Sequence, residues 1–278
     1  MTKQIMVGGV PIGGGAPVTI QSMTNTRTDD VEATLHQIRT LAAAGCEIIR
    51  VAVPDMAAAK AVGKIKEESP IPVVVDIHFD YKLALEAIAA GADKVRINPG
   101  NIGGADHVKA VAQACARRGV PIRIGVNGGS LEKPLLAKYG GVCPEAMVES
   151  AFGHIRLLNQ FDFDDICVSL KSSSVPMTMK AYRLMSRASD YPLHIGVTEA
   201  GTVRMGTLKS AVGIGGLLAL GIGDTMRVSL SADPVEEVYA AKEILKAAGV
   251  RKEGAELVSC PTCGRTRIDL IALANEVE

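Results

Sequence analysis

The chain has 278 residues with 30 basic and 30 acidic side chains, so its formal net charge at pH 7 is zero. Balanced charge, an aromatic content of 3% and the lack of Trp argue against nucleic acid or an anionic membrane as a partner. The sequence contains neither a run of 18 apolar residues nor an apolar signal core, so we expect a cytoplasmic protein without a membrane span. The length suits one (β/α)8 barrel of about 250 residues with a small appendage.

From residue 17 onward, one unit recurs: a β-branched run, a polar turn and an Ala-rich amphipathic stretch. The runs predict strands at 18–22, 47–53, 72–78, 93–98, 122–127, 165–171, 193–198 and 225–230. The stretches predict helices at 29–44, 55–68, 82–90, 105–118, 144–160, 177–189, 205–221 and 234–248. Eight such units favour a closed α/β TIM barrel over residues 1–249. An open doubly wound sheet is the weaker alternative, because no G-x-G-x-x-G motif follows the first strand.

Glycines mark the ends of several units. Gly45, Gly91, Gly119 and Gly249 stand where helices are expected to end. The Gly-rich segment 7–16 predicts a turn or hairpin before the first strand. Residues 213–216 (GIGG) lie in an apolar helical context, which favours close helix packing over a phosphate-binding loop.

Polar residues alternate with apolar ones along the predicted strands. Because alternate residues of a strand share one face, the polar set is expected to face the barrel axis near the carboxyl ends of the strands. The cations of this set are Arg50, Arg96, Arg123, Lys171 and Arg227, against the acids Asp76 and Glu199. Unpaired buried cations are unfavourable by several kcal/mol each, and Arg suits bidentate binding of phosphate. The pattern therefore predicts a ligand with two or more phosphate groups, although each Arg could instead pair with a local acid.

Three residues near the strand ends allow more than one role. Lys171 could form a Schiff base, as in aldolase-type barrels, or contact phosphate. Glu199 stands where a catalytic acid or base belongs, but a salt bridge in the loop is an equal alternative. His78 could transfer protons or line the site.

Cys260 and Cys263 form a C-x-x-C pair near the end of the sequence. The pair is compatible with half a zinc site, a redox dithiol or half an iron–sulfur site. A complete site needs about four ligands, and no Cys or His follows Cys263.

Several segments together resemble the 4-hydroxy-3-methylbut-2-en-1-yl diphosphate synthase family, in order along essentially the whole chain. They are residues 18–26 (VTIQSMTNT), 47–54 (EIIRVAVP), 76–80 (DIHFD), 95–101 (VRINPGN), 125–131 (GVNGGSL), 196–201 (GVTEAG), 227–231 (RVSLS) and 259–266 (SCPTCGRT). The resemblance implies reductive ring opening and dehydroxylation of 2-C-methyl-D-erythritol 2,4-cyclodiphosphate in isoprenoid biosynthesis by the methylerythritol phosphate pathway. It also implies a [4Fe–4S] cluster, two external electrons from flavodoxin or ferredoxin, and a homodimer.

The resemblance assigns roles residue by residue. The cyclodiphosphate would be bound by Arg50, Asp76, His78, Arg96, Asn98, Arg123, Asn127, Lys171, Arg227 and Ser229. Glu199 would be the catalytic acid beside the substrate, and Cys260 and Cys263 would be the first two cluster ligands. The family's third Cys and its ligating Glu have no counterpart here, so 250–278 is expected to be a linker and the incomplete first part of a C-terminal cluster domain. Two alternatives stay open: a Schiff-base aldolase or isomerase with Lys171 and a structural zinc at the Cys pair, and a fragment that only binds.

Overall fold

Short runs rich in Val and Ile form eight parallel strands around a common axis. The protein is described by a computed structural model that covers residues 1–252, 255 and 257–277. The barrel strands are β3 Thr19–Met23, β4 Ile48–Ala52, β5 Val73–Asp76, β6 Lys94–Ile97, β7 Ile122–Asn127, β8 Ile166–Lys171, β9 His194–Ile195 and β10 Thr225–Met226. They pair in the order β8-β7-β6-β5-β4-β3-β10-β9, and a parallel bridge between Val168 and Leu193 joins the two ends. The predicted TIM barrel is confirmed.

Helices follow the strands and cover the outside of the barrel, except for the last helix, which lies beyond the barrel in the chain and is largely exposed. They are α1 Val31–Ala44, α2 Met56–Glu68, α3 Tyr81–Ala89, α4 Ala105–Arg118, α5 Lys133–Tyr139, α6 Pro144–Asn159, α7 Val175–Ala188, α8 Val203–Ser210, α9 Gly216–Leu218, α10 Pro234–Ala247 and α11 Leu270–Val277. Asp30 and Asp55 cap α1 and α2 by accepting hydrogen bonds from backbone N–H groups. Gly45 and Gly119 end α1 and α4 in the left-handed conformation that the sequence predicts for them.

Three local features differ from the sequence-based prediction. Helix α5 is additional. The predicted helix 205–221 is divided, because a π-helical turn at Ala211–Gly215 separates α8 from α9. At Gly213 a Cβ would lie 2.7 Å from Val197 Cγ2, so the glycine there permits the close packing that the sequence suggests. The last two strands are much shorter than predicted, because the chain beyond Ile195 and Met226 diverges into the loops of the barrel mouth.

The apolar core has two parts on opposite sides of the strands. Outward residues such as Ile49, Val75 and Ile124 are fully buried against the helices. A hairpin of β1 Gln4–Val7 and β2 Val10–Gly13 closes the amino-terminal end of the barrel. Its side chains Ile5, Val7 and Ile12 pack against Ile48, Val74 and Cys167 in the lower lumen. The segment predicted as a turn or hairpin is therefore an apolar plug, and the opposite end forms the mouth.

Beyond α10, most described residues are exposed. Arg251 donates hydrogen bonds to the Val18 carbonyl and to the Glu47 carboxylate, which attaches the end of the barrel to its base. Residues 253, 254 and 256 of the predicted linker lie outside the described part of the chain, and the domain boundary stays a prediction. None of the helices described is long and apolar enough to cross a membrane.

Candidate active site in the barrel lumen

Alternate residues of successive strands bring a set of charged side chains to the axis of the barrel. Registers place Arg50 on β4, Asp76 on β5, Arg96 on β6 and Arg123 on β7 as lumen neighbours. Lys171 ends β8 beside Asn127. The structure thus brings together the cations that the sequence pattern places on one face.

Asp76 is the acidic centre of this set. Arg96 Nη1 lies 3.0 Å from Asp76 Oδ1, while Arg50 Nε and His78 Nε2 lie 3.6 and 3.7 Å from Oδ2. Burial raises the pKa of Asp76, but the charge of Arg50, the contact with His78 and the charge of Arg96 outweigh it and hold this pKa well below its usual range. Asp76 therefore stays ionised at neutral pH and fixes two guanidinium groups at the mouth.

A second carboxylate, on Glu237 of α10, holds Arg227. Arg227 Nη2 and Nε lie 3.1 and 3.3 Å from the two Glu237 oxygens. Glu237 is 4% exposed and also accepts hydrogen bonds from the Leu230 N–H and the Ser22 hydroxyl. The local pairing that sequence reasoning allowed for any single Arg is thus realised at Arg227.

Arg123 and Lys171 differ from these paired cations. Arg123 is 1% exposed, and its Nε and Nη1 atoms have no hydrogen-bond partner among the residues described. Burial and the charge of Arg96 lower the pKa of Arg123 to about 10, which leaves it charged at neutral pH. Lys171 makes no hydrogen bond or ion pair within the described chain, and burial followed by the charges of Arg123 and Arg50 lowers its pKa well below the ordinary value. Both residues have donors available for an anion.

Two lumen glycines make room for the cations. A Cβ at Gly125 would lie 2.5 Å from Arg96 Nε, and one at Gly196 would lie 2.9 Å from Lys171 Nζ. Real Cβ atoms do not approach so closely, so any larger residue would displace the cation beside it. The lumen is shaped around these two side chains.

Glu199 lies in the loop after β9 and is exposed. Its φ of 53° places it in the left-handed region, which a Glu seldom occupies and which is unfavourable by about 1–2 kcal/mol. Such strain is found at functional positions. The strained backbone makes Glu199 a candidate functional residue in the loop that follows β9 at the mouth.

The remaining predicted site residues lie around the rim. His78 is exposed above Asp76, and Asn98 is buried with its Oδ1 accepting a hydrogen bond from the Gly100 N–H. Asn127 and Ser229 are half-buried. The Asn98 contact also shows a structural role, since it stabilises the turn after β6.

Sequence reasoning missed four contributors to the lumen. Lys94 is fully buried and has the same strand parity as Arg96, so the alternation rule could have found it. The same rule applies to Met23, which lies on the same face of β3 as Thr19. Its sulfur lies 2.9 Å from Arg50 Nη2 and 3.8 Å from Arg227 Nη1. Strand alternation also places Gly125 in the lumen. It cannot identify Glu237, which lies in the first turn of a helix.

Within the described lumen, six cations face two buried carboxylates: Arg50, Lys94, Arg96, Arg123, Lys171 and Arg227 against Asp76 and Glu237. Asp76 and Glu237 are already engaged with Arg50, Arg96 and Arg227. A ligand with more than one negative charge would compensate the excess. The arrangement is suited to binding a polyanion in a site shielded from bulk water.

The C-x-x-C pair lies apart from the barrel strands. Cys260 and Cys263 are both exposed, and hydrogen bonds from Arg265 and Thr266 lower the pKa of the Cys263 thiol. A thiol with a lowered pKa is a better metal ligand, since the thiolate is the form that binds. Within the described ranges, no cluster of three or more His, Cys, Asp or Glu side chains is placed to hold a metal ion. The pair fits two ligands of a metal centre.

Comparisons with known proteins give relatives of similar sequence and solved structures of similar fold. The family model described as the GcpE TIM-barrel domain matches residues 2–242. The 4-hydroxy-3-methylbut-2-en-1-yl diphosphate synthase (flavodoxin) of Ruminiclostridium cellulolyticum is 60% identical over 277 residues, which cover 100% of this chain and 78% of that protein. The protein of the same name from Geobacter sulfurreducens is 63% identical with the same coverage.

Solved structures with a similar fold are more distant in sequence. Dihydropteroate synthase of Yersinia pestis matches with a TM-score of 0.61 at 14% identity, covering 90% of this chain and 100% of the other. A truncated form of 3-deoxy-D-arabino-heptulosonate 7-phosphate synthase from Thermotoga maritima gives a TM-score of 0.61 at 13% identity, covering 90% and 94%. These similarities concern the barrel fold alone.

Proposed function

Because the chain belongs to the GcpE family of 4-hydroxy-3-methylbut-2-en-1-yl diphosphate synthases, we propose that its barrel mouth binds 2-C-methyl-D-erythritol 2,4-cyclodiphosphate for reduction. The observation that carries this proposal is the excess of lumen cations, above all the buried and unpaired Arg123. A cyclic diphosphate supplies the multiple negative charge that the lumen lacks. Of the alternatives left open by the sequence, the Schiff-base aldolase has no support from the family assignment.

The binding cations form two groups: those held in place by a buried carboxylate and those without an acidic partner in the described chain. Asp76 and Glu237 hold the guanidinium groups of Arg50, Arg96 and Arg227 in place, so these groups lose little conformational entropy when a phosphate binds. Arg123 and Lys171 have no acidic partner in the described chain and provide the charge that the ligand neutralises. Asn98, Asn127, Ser229 and His78 add polar contacts around the rim.

The reaction removes one oxygen of the cyclodiphosphate as water, which consumes two electrons and two protons. Side chains cannot supply the electrons. Glu199 is the side chain we assign to proton transfer, because it is an acid in a strained loop position at the carboxyl end of the barrel strands. Lys171 is assigned to phosphate binding rather than to covalent chemistry.

A [4Fe–4S] cluster would supply the electron transfer when bound. Cys260 and Cys263 would provide two of its ligands, and the lowered pKa of the Cys263 thiol suits that role. The resemblance implies that a further Cys and a Glu complete the set. The names of the relatives specify flavodoxin, so we propose flavodoxin as the electron donor. The family resemblance leads us to propose a homodimer as the assembly.

Calorimetric titration of the chain tests the binding step. We expect the cyclodiphosphate to bind at least a hundredfold more tightly than 2-C-methyl-D-erythritol, which has the same carbon skeleton without phosphates. Each charged hydrogen bond contributes about 1.5–3 kcal/mol, so two lost bonds account for that ratio. Equal affinity for the two compounds would contradict the proposal. Inorganic pyrophosphate is the control that separates recognition of charge from recognition of the sugar.

A further inference from the structure

A second group of polar side chains lies in the lumen on the amino-terminal side of the mouth. Its members each have a buried polar atom without a hydrogen-bond partner among the described residues: Thr19 Oγ1, Gln21 Nε2 and Oε1, Lys94 Nζ, Arg123 Nε and Nη1, and His194 Nε2. Each of these residues is at most 4% exposed. Four different strands contribute them, all at lumen-facing positions. Buried polar groups are almost always paired, so this convergence requires an explanation.

The charges of three of these groups, Lys94, Arg123 and His194, act on one another. Burial and then the charges of Arg123, Lys171 and Lys94 lower the pKa of His194 well below its ordinary value. Burial, opposed by the nearby Cys167 and reinforced by the charges of Arg123 and Arg50, lowers the pKa of Lys94 to about 8. Lys94 and Arg123 are therefore close enough for their charges to repel each other.

No carboxylate of the described lumen is available to this group. Asp76 is engaged by Arg96 and Arg50, and Glu237 by Arg227. On the other side lies the apolar plug, since Val74 pairs with Lys94 in register and packs with the hairpin. Loss of a proton could remove the buried charge of Lys94, but Arg123 stays charged at neutral pH. Water would satisfy hydrogen bonds here without compensating the charge.

We propose that this part of the lumen is a binding site for one small monovalent anion of the halide class, held between Lys94 and the enclosed nitrogens of Arg123. The unpaired Gln21 amide N–H2 is a further donor in the lumen. One negative charge offsets one of the two positive charges of Lys94 and Arg123, and the plug limits the ligand to a small ion. The site lies on the amino-terminal side of the diphosphate site, shares Arg123 with it and does not depend on the proposed reaction. Its ion would fix Arg123 from below and leave the mouth side of the lumen to the substrate.

Bromide is the probe for this site. Crystals of the chain grown in sodium bromide should show an anomalous peak between Lys94 Nζ and the Arg123 guanidinium. In solution, replacing sodium gluconate by sodium bromide at constant ionic strength should raise the melting temperature by about 4 °C at concentrations well above the dissociation constant. There the rise should follow the logarithm of the bromide concentration, as mass action requires. The rise should persist when inorganic pyrophosphate saturates the mouth.

Lys94→Met is the informative variant, because it keeps the length of the side chain and removes the charge. We expect its melting temperature to be independent of bromide and, in gluconate, to equal or exceed that of the unaltered chain. Lys60→Met, which changes an exposed lysine of α2, is the matched control and should keep the full bromide response.

Several outcomes would overturn the proposal. They are a bromide peak at the mouth only, a response that pyrophosphate abolishes, no response of the unaltered chain, or an unchanged response in Lys94→Met. If Lys94→Met does not fold, the position of the anomalous peak and the pyrophosphate competition on the unaltered chain decide the question.

Discussion

Replacing Arg123 by Met should separate ligand affinity from folding stability. The side chain is 1% exposed, charged, and unpaired at Nε and Nη1. Removing it deletes one or two charged hydrogen bonds to the cyclodiphosphate, worth about 1.5–3 kcal/mol each. Affinity should therefore fall by about 10- to 150-fold or more. In halide-free buffer without ligand, the variant should be at least as stable as the original chain, because an unpaired buried cation is replaced by an apolar side chain of similar length.

Arg227→Met provides a comparison with the opposite effect on stability. This substitution also removes a cation from the mouth, but it leaves the Glu237 carboxylate without its guanidinium partner at 4% exposure. Breaking a buried ion pair in this way destabilises a protein by about 3 kcal/mol or more. We therefore expect weaker binding together with a lower melting temperature.

Calorimetry with the cyclodiphosphate and thermal melts on the same preparations measure both quantities. Arg118→Met, at an exposed position near the end of α4, is the control and should change neither. If Arg123→Met lost stability and kept its affinity, Arg123 would be a structural residue, and the argument from unpaired charge would be wrong.

The other predictions concern Glu199, Asp76 and the cysteine pair. Glu199→Gln should keep cyclodiphosphate affinity within about threefold, yet lower flavodoxin-driven turnover by about 10²–10⁴ in a longer version that carries the full set of cluster ligands. Glu199→Gly should raise the free energy of unfolding by about 1 kcal/mol, because Gly adopts positive φ without strain. Unaltered turnover in Glu199→Gln would leave the residue a structural role. Since the folded-state pKa of Asp76 is depressed, its contribution to stability is complete above the unfolded pKa of about 4 and is lost as the pH falls below it, so Asp76→Asn should flatten the acid side of a stability–pH profile. If the free energy of unfolding fell equally steeply with decreasing pH in both proteins, the ion pairs of Asp76 with Arg50 and Arg96 would be contradicted. Two thiolates are half of a cluster's ligands, and the described residues provide no third group nearby, so anaerobic reconstitution should yield fewer than four irons per chain, with Cys260→Ser lower still. Four irons and a [4Fe–4S] Mössbauer signature would mean that ligands come from another chain or from added thiol.

Local pattern was enough to predict most of the fold. Each β-branched run became a strand because it was bounded by turn residues and followed by an amphipathic helix, and Gly45 and Gly119 ended their helices as expected. The π turn that divides the helix predicted at 205–221 has no counterpart in the local pattern, whereas Gly213 and Gly216 leave no room for a Cβ beside Val197 and Met179. These contacts join residues far apart in the sequence.

The same contrast holds for the site. Strand alternation placed Arg50, Arg96 and Arg123 in one lumen, because their positions differ only by the pairing register. It could not show which of them would be paired. Asp76, on a strand, contacts arginines of the two neighbouring strands. Glu237 contacts Arg227 from a helix whose orientation depends on tertiary packing. Sequence therefore indicated the charge of the site but not the distribution of that charge.

The division of the apolar core explains how the chain can hold so much charge at its centre. Barrel lumens are usually filled by layers of Val, Ile and Leu, which add to stability. Here the apolar contacts lie outside the strands against the helices and below them against the hairpin, and each set closes without the residues of the mouth. Burial of the lumen cations is unfavourable in the absence of ligand, and a bound anion reverses that effect. Substitutions of the lumen cations should therefore change ligand affinity more than folding stability, provided that the buried carboxylates Asp76 and Glu237 keep their partners.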